Sequence, residues 1–211
     1  MKNDAPRQLR ADAARNSERI LRAARETFAV SGPGAPLEEI AQRAGVGIAT
    51  LYRRFPEREE LIRAAIDQIM AEMISPATEQ ALGDENPRRG LVTLLEAAMS
   101  VAARERNTLA AAKDIRAITA EVADRFFESL TLLTRRGQQA GLIRADLLPD
   151  DLRTIVGMLI GALWTTDPDS DGWRRYVTLL LDALSPSAAS PLPSAAPLRP
   201  KPDHWPVPAD D

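Results

Sequence analysis

Along residues 37–55, LEEIAQRAGVGIATLYRRF, apolar positions recur at helical spacing, stop at a glycine and then resume. Leu37, Ile40, Ala41 and Ala44 fall at the i, i+3, i+4, i+7 spacing of an amphipathic helix, and Gly45 follows as its stop signal. Val46 plugs the corner. A second helix is predicted from Gly47. At about 100° per residue its Ile48, Leu51 and Phe55 share one face, while Ala49, Thr50 and Arg53 point the other way. A helix backed by another helix, with a small, polar and cationic front, is built to enter a groove of DNA.

The same periodicity organises the chain on either side. Residues 1–14 are poor in apolar positions and carry Lys2, Arg7 and Arg10, so they read as a flexible basic arm. Ile20, Leu21, Ala24 and Phe28 form the stripe of a helix from about Asn16 to Val30. Pro33, Gly34 and Pro36 make a tight connection to the 37–55 pair. After Phe55 and Pro56 a further helix follows, with Leu61, Ile62, Ala65, Ile66, Ile69 and Met73 on one face and Ser75 and Pro76 as its end. Residues 15–75 thus make a compact four-helix unit.

The second part, residues 87–184, is also helical, without strand-like alternation. Leu91, Leu94, Leu95, Ala98, Met99 and Ala102 define one helix, and a short segment near Leu109 to Ile115 follows. A long helix from about Thr119 to Gln139 faces Val122, Phe126, Phe127, Leu130 and Leu133 inward. The next helix, LRTIVGMLIGALW from Leu152 to Trp164, is apolar nearly all round. In a small bundle such a helix is covered either by a partner subunit or by its own protomer. A last helix holds Trp173, Tyr176, Val177, Leu180, Leu181 and Leu184. The expected interface between two copies comprises Leu152, Ile155, Leu159, Leu163, Val177, Leu180 and Leu181. The expected architecture is all-α with about nine helices. Residues 185–211, of which 8 of 27 are proline, read as a disordered tail.

Charge sharpens this division. Residues 1–55 hold 10 Lys and Arg against 6 Asp and Glu, whereas the remainder holds 17 against 24. A basic end on an acidic body fits a nucleic-acid-binding head joined to a part that is not one. The chain has no cysteine, which excludes disulfides, zinc–thiolate sites and thiol nucleophiles and suits a reducing cytoplasm. Its single histidine, His204, lies among prolines, with no second histidine to share a metal. No cofactor, metal site or catalytic residue is expected. No apolar run is long enough to cross a membrane, and the opening residues lack a signal sequence, so the expected location is the cytoplasm.

The segments RILRAARETFAV, LEEIAQRAGV, TLYRRF and PEREEL, in this order and spacing, resemble the DNA-binding domain of the tetracycline-repressor (TetR) family of bacterial transcription regulators. The resemblance covers roughly the first 70 residues and extends to the rest only as a pattern of helices. It implies an N-terminal helix-turn-helix domain and a C-terminal ligand-binding and dimerisation domain. Ile48, Ala49 and Arg53 then fall near base edges, and Thr50, Tyr52, Arg54 and Arg58 on phosphate positions. Arg53 suits a guanine, Ala49 a thymine methyl, and a threonine or tyrosine hydroxyl a phosphate oxygen. Ala35 and Pro36 stand where many members carry a threonine or serine cap, Arg54 replaces a frequent histidine, and Gly47 a common serine.

The resemblance implies a homodimeric repressor of a double-stranded, pseudo-palindromic operator, released by an apolar or amphipathic small molecule. Met99, Phe127, Leu130, Met158 and Trp164 are the candidates for lining its pocket, with plain core packing as the competing reading. A constitutive or architectural DNA-binding dimer without a ligand is the alternative. An all-helical enzyme is a remote third, since no nucleophile–base pair or phosphate-cradling loop is present.

Overall fold

The computed structural model describes residues 5–112, 120–163, 165, 170–188 and 190–194. Among them are ten α-helices and no strand: α1 (Ala5–Ser31), α2 (Leu37–Ala44), α3 (Ile48–Arg54), α4 (Arg58–Ile69), α5 (Ser75–Gly83), α6 (Pro87–Arg104), α7 (Arg106–Ala111), α8 (Ala120–Gln139), α9 (Pro149–Ala162) and α10 (Trp173–Ala183). A π turn, Met70–Ile74, precedes α5, and a 3-10 turn, Pro186–Ala188, follows α10. The chain divides into two units, one from the described residues of Met1–Gln68 and Glu105–Ile118, the other from those of Ile69–Arg104 and Thr119–Asp211.

In the first unit the sequence stripes become the core. Ile20, Ala24 and Phe28 of α1, the four spaced residues of α2, Leu51 of α3, and Leu61, Ile62, Ala65 and Ile66 of α4 are all buried. Helix α1 starts at Ala5 rather than near Asn16, so residues 5–14 are helix and not arm. The reason is local: between Pro6, tolerated in a first turn, and Ser31 there is no glycine or proline, and alanines supply high helix propensity.

The segment 105–112, which the sequence reading gave to the C-terminal part, belongs to this first unit. Helix α7 packs on α1. The Arg25 Nε donates to Glu105 Oε1 at 3.0 Å, Thr108 Oγ1 donates to Glu105 Oε2, and Asn107 Nδ2 donates to the Ala29 carbonyl. Because Glu105 is 11% exposed and Arg25 20%, separating them would strand a largely desolvated charge.

The second unit begins with a correction at Pro76. The sequence reading ended a helix there, yet Pro76 lies in the first turn of α5, where its missing N–H costs nothing. The π turn just before it shifts the hydrogen-bond register, which lets helix resume across the proline. Two glycines set the packing distances. A Cβ on Gly90 would stand 2.5 Å from the Ala81 carbonyl oxygen and one on Gly137 2.4 Å from Ile143 Cδ1, so α5 meets α6, and Ile143 meets α8, at contact that only glycine permits. Arg136 donates to the Leu82 and Asp84 carbonyls at 2.8 and 2.9 Å, satisfying the end of α5.

Helix α9 packs on α6 and α8, and α10 on α6 and α9, with Arg174 paired to Glu96 and Arg88 to Asp182, both at 2.8 Å. This packing revises the expected interface. Leu152, Leu159, Leu163, Val177 and Leu181 are buried within the protomer, and Ile155 and Leu180 are half-buried. Periodicity shows that a helix is apolar all round but not which stripe its own chain covers. The exposed apolar residues are instead Met158 on α9, at 67%, and Tyr176 and Leu179 on α10, at 42% and 54%.

Of the expected pocket residues, Met99 and Leu130 are fully buried, Phe127 is half-buried under the Arg153 guanidinium, and Met158 points outward, so these do not converge on one cavity. Trp164 lies outside the described residues. The start of the expected tail also differs from expectation, while residues 195–211 lie outside the described residues. Residues 185–188 and 190–194 follow a defined path: the Arg144 N–H donates to the Leu184 carbonyl, its guanidinium to the Ser190 carbonyl at 2.6 Å, and the Leu192 N–H donates to Asp146 Oδ2 at 3.0 Å. Proline does not prevent such anchoring, because an extended backbone still offers its carbonyls to a buried arginine.

Candidate nucleic-acid interface

The turn between α2 and α3 is fixed by backbone geometry and by one arginine. Gly45 closes α2 at φ 64°, a left-handed conformation that glycine adopts without strain. Arg19, on α1, donates from Nη2 to the Ala44 carbonyl at 2.6 Å and to that of Gly45 at 3.4 Å. A Cβ on Gly45 would meet that Nη2 at 2.8 Å, so the position excludes a side chain twice over. Helix α3 then starts at Gly47, and neither Pro36 nor Gly47 supplies a side-chain cap.

Helix α3 is held from behind. Leu51 is fully buried and Phe55 5% exposed, whereas Ile48, Ala49, Tyr52 and Arg53 are exposed and Thr50 is half-buried. Ile48, expected to share the inner face, lies on the outer one at 36% exposure, because the first turn extends beyond the core that Leu51 enters. Positions 48, 49, 52 and 53 are neighbours on one side of a helix, so an isoleucine, an alanine, a phenol and a guanidinium form one surface. Arg53 makes no hydrogen bond or ion pair among the described residues, and neither does the hydroxyl of Tyr52.

The two arginines expected at phosphates are engaged by the protein. Arg54 donates from Nε to Ser17 Oγ at 2.6 Å and stacks 5.2 Å from the Phe55 ring centroid, which ties α3 to α1. Its terminal nitrogens make no hydrogen bond among the described residues. Arg58 is more deeply committed. It donates to the Ala35 and Pro33 carbonyls at 2.7 and 2.6 Å and lies 5.4 Å from the Phe28 ring centroid. Its fork therefore clamps the turn before α2, a structural duty that the sequence reading did not assign to it. The roles of Arg19, Ser17 and Arg58 carry no sequence signal, since each partner lies more than 20 residues away.

Among the described residues of α3, Arg53 is the guanidinium left uncommitted, among small and apolar neighbours on an anchored helix. Such a surface can read a base edge, with a hydroxyl and a tethered arginine beside it for the backbone. Among the described residues no cluster of His, Asp and Glu fit to hold a metal occurs, and no helix is long and apolar enough to cross a membrane.

Comparison with known proteins agrees with this geometry. Residues 20–65 match the sequence pattern of "Bacterial regulatory proteins, tetR family". No curated protein sequence matches the chain. Among solved structures, the TetR transcriptional regulator SCO0520 from Streptomyces coelicolor is 30% identical, with 82% of this chain and 99% of that chain covered and a TM-score of 0.61. A TetR transcription regulatory protein from Mycobacterium vanbaalenii is 29% identical over 84% and 99%, also at 0.61. The transcriptional regulator FadR from Bacillus subtilis, solved in complex with stearoyl-CoA, shares the fold at 19% identity, with 82% and 99% covered and a TM-score of 0.62. The two-helix unit of α2 and α3, the helices described in the second unit and this similarity to a 30%-identical regulator over 82% of the chain together establish that the chain belongs to the TetR family of DNA-binding transcriptional regulators.

Proposed function

We propose that the protein is a homodimeric repressor that binds a pseudo-palindromic operator and leaves it when a small molecule occupies its C-terminal unit. The observation that carries the DNA half of this reading is the outward face of α3, where Arg53 is uncommitted beside exposed Ile48 and Ala49. Arg53 makes two hydrogen bonds to a guanine, and Ala49 and Ile48 contact a neighbouring thymine methyl. Tyr52, Thr50 and the free end of Arg54 hold phosphates, the last pre-positioned by its tether to Ser17. Two copies place two α3 helices about one turn of duplex apart, roughly 34 Å.

For the second copy, the support is the row of exposed apolar side chains on adjacent helices: Met158 on α9, with Tyr176 and Leu179 on α10. For the ligand, the support is a relative, since FadR of Bacillus subtilis was solved with stearoyl-CoA. The effector acts by binding better to the state that does not hold DNA, which lowers operator affinity by that difference.

Gel shifts on the DNA upstream of the gene, with Arg53→Ala as the probe, test the DNA half. The variant is expected to lose about 1–3 kcal/mol of discrimination at one position in each half-site, with little change elsewhere. Equal binding of wild type to scrambled DNA sinks the operator reading, and uniform weakening of all sequences by Arg53→Ala makes it a phosphate contact.

A further inference from the structure

Helix α3, which presents Ile48, Ala49 and Arg53 outward, is weakly supported by its own sequence. It has seven residues, and a helix so short is not stable alone. Its start at Gly47 lacks a side-chain cap. Its apolar anchors are Leu51, in its middle, and Phe55, just past its end. Both lie in the second half of the helix and on one side of it, so apolar packing alone leaves the first turn free to swing.

Two residues of α1 close that freedom. Arg19 Nη2 donates to the Ala44 carbonyl at 2.6 Å and to the Gly45 carbonyl at 3.4 Å, which holds the turn leading into the first residue of α3. The Ser17 hydroxyl accepts from Arg54 Nε at 2.6 Å, and Arg54 is the last residue of α3. Ser17 is itself 9% exposed, and the Arg54 guanidinium lies 5.2 Å from the Phe55 ring centroid, so this second grip is seated on the core. Ser17 and Arg19 stand within one turn of α1. A single strut therefore grips α3 before its start and at its end.

The two kinds of DNA contact respond differently to a loosened mount. Attraction between a cation and a phosphate falls slowly with distance, whereas a hydrogen bond to a base edge is lost once the heavy atoms leave the range of about 2.7–3.2 Å. A tilt of about 10° displaces a guanidinium about 8 Å from the pivot by about 1.4 Å, enough to lose one bond of a bidentate base contact. The mount thus bears on discrimination between sequences far more than on attraction to DNA in general.

We propose that Ser17 and Arg19 are positioning residues for base reading: without touching a base, they set how sharply α3 discriminates between sequences. This rests on the operator reading above and adds to it the residues on which its precision depends. For the test, the full chain enriches duplexes from a random-sequence pool. Every single-base-pair change of the enriched duplex is then measured by fluorescence anisotropy, for wild type, Ser17→Ala, Arg19→Met and Arg54→Met, with circular dichroism confirming the fold. Ser17→Ala exchanges a serine for a better helix former, which keeps α1 intact. Ser17→Ala and Arg19→Met are each expected to flatten the preferences at all base pairs read by α3, by about three- to tenfold, with salt dependence and affinity for an unrelated duplex unchanged. In an Arg54→Met background, Ser17→Ala is expected to add no further loss, because the tether is already gone. Unchanged preferences in either folded variant overturn the proposal. So does a shallower salt dependence with preferences intact, which makes the residue a phosphate contact, or a further loss from Ser17→Ala on top of Arg54→Met. Failure of the wild type to enrich any sequence is a different result, since it removes the operator reading and this inference with it.

Discussion

Arg58→Lys separates the structural role of this arginine from the phosphate role that the sequence resemblance implied. Arginine and lysine carry the same charge, so a phosphate contact in water is largely preserved by the exchange. The fork is not. Arg58 spans two carbonyls, and the one on Ala35 belongs to a residue that is 2% exposed. A lysine ammonium reaches one of the two at best. The loss of one charge-assisted hydrogen bond is worth about 1.5 kcal/mol and the weakened stacking on Phe28 about 0.5 kcal/mol. The sum of about 2 kcal/mol corresponds to a fall in melting temperature of about 4–8 °C for a chain of this size. Arg58→Met forfeits both bonds and should cost about 3 kcal/mol. Differential scanning calorimetry reads both variants. Operator binding at a temperature where both remain folded should keep its salt dependence, since no phosphate contact is lost. A melting temperature for Arg58→Lys within about 1 °C of wild type, or a salt slope for Arg58→Met that is shallower by about one counterion per protomer, refutes the clamp.

Other outcomes follow from the second unit. Met158→Glu and Leu179→Glu place charges on the exposed apolar row and should leave monomers in sedimentation analysis without lowering the melting temperature of the monomeric unit; retained dimers at micromolar concentration exclude that face. Gly90→Ala should cost about 1–2 kcal/mol after its gain in helix propensity, because the clash is with the Ala81 backbone. Gly137→Ala should cost less, since the Ile143 side chain it meets can shift, and chemical denaturation ranks the two. The hydrogen bond from Arg144, and then that from the Leu192 N–H, hold the Asp146 carboxyl well below its ordinary value of 3.8. A depressed folded value means that the contribution is present above about pH 4 and is lost as pH falls below it. The wild-type melting temperature should therefore drop between pH 6 and pH 3 by more than that of Asp146→Asn. Limited proteolysis should cut within residues 185–194 sooner in that variant, and equal rates argue against the anchor.

Residues whose partners are near in sequence were legible from the spacing of apolar positions. Leu37, Ile40, Ala41 and Ala44 are buried as their period requires, and Gly45 ends the helix in the left-handed conformation that only glycine takes freely. Ile48 was open to two readings, since it shares the angular sector of Leu51 and Phe55 yet sits one turn before the core that receives them, and it is 36% exposed. Pro76 was read as a terminus because proline breaks an uninterrupted helix, and the π turn that accommodates it has no signature in composition. Of α9, the sequence disclosed that every side is apolar. Which side the protomer covers depends on α6, α8 and α10, whose approach is set by Gly90, Gly137 and three ion-paired or carbonyl-bound arginines.

The arginines of the first unit carry the deeper lesson. Arg19, Arg25, Arg53 and Arg54 count alike in the basic balance of residues 1–55, and Arg58 just beyond it carries the same charge. Their fates differ by what lies within reach. Arg19 finds the carbonyls that end α2, Arg25 a buried carboxylate, Arg54 a hydroxyl, and Arg58 two carbonyls of a turn. Arg53 projects from the side of α3 opposite Leu51, where none of the described residues supplies an acceptor. The net charge that brings such a head to DNA is therefore a poor guide to the residue that reads it. A guanidinium already paired at 2.6 Å gives up that bond on meeting a base, and the exchange gains little. The unpaired one gains the full interaction, which is the ground for proposing Arg53, rather than the four engaged arginines, as the base contact.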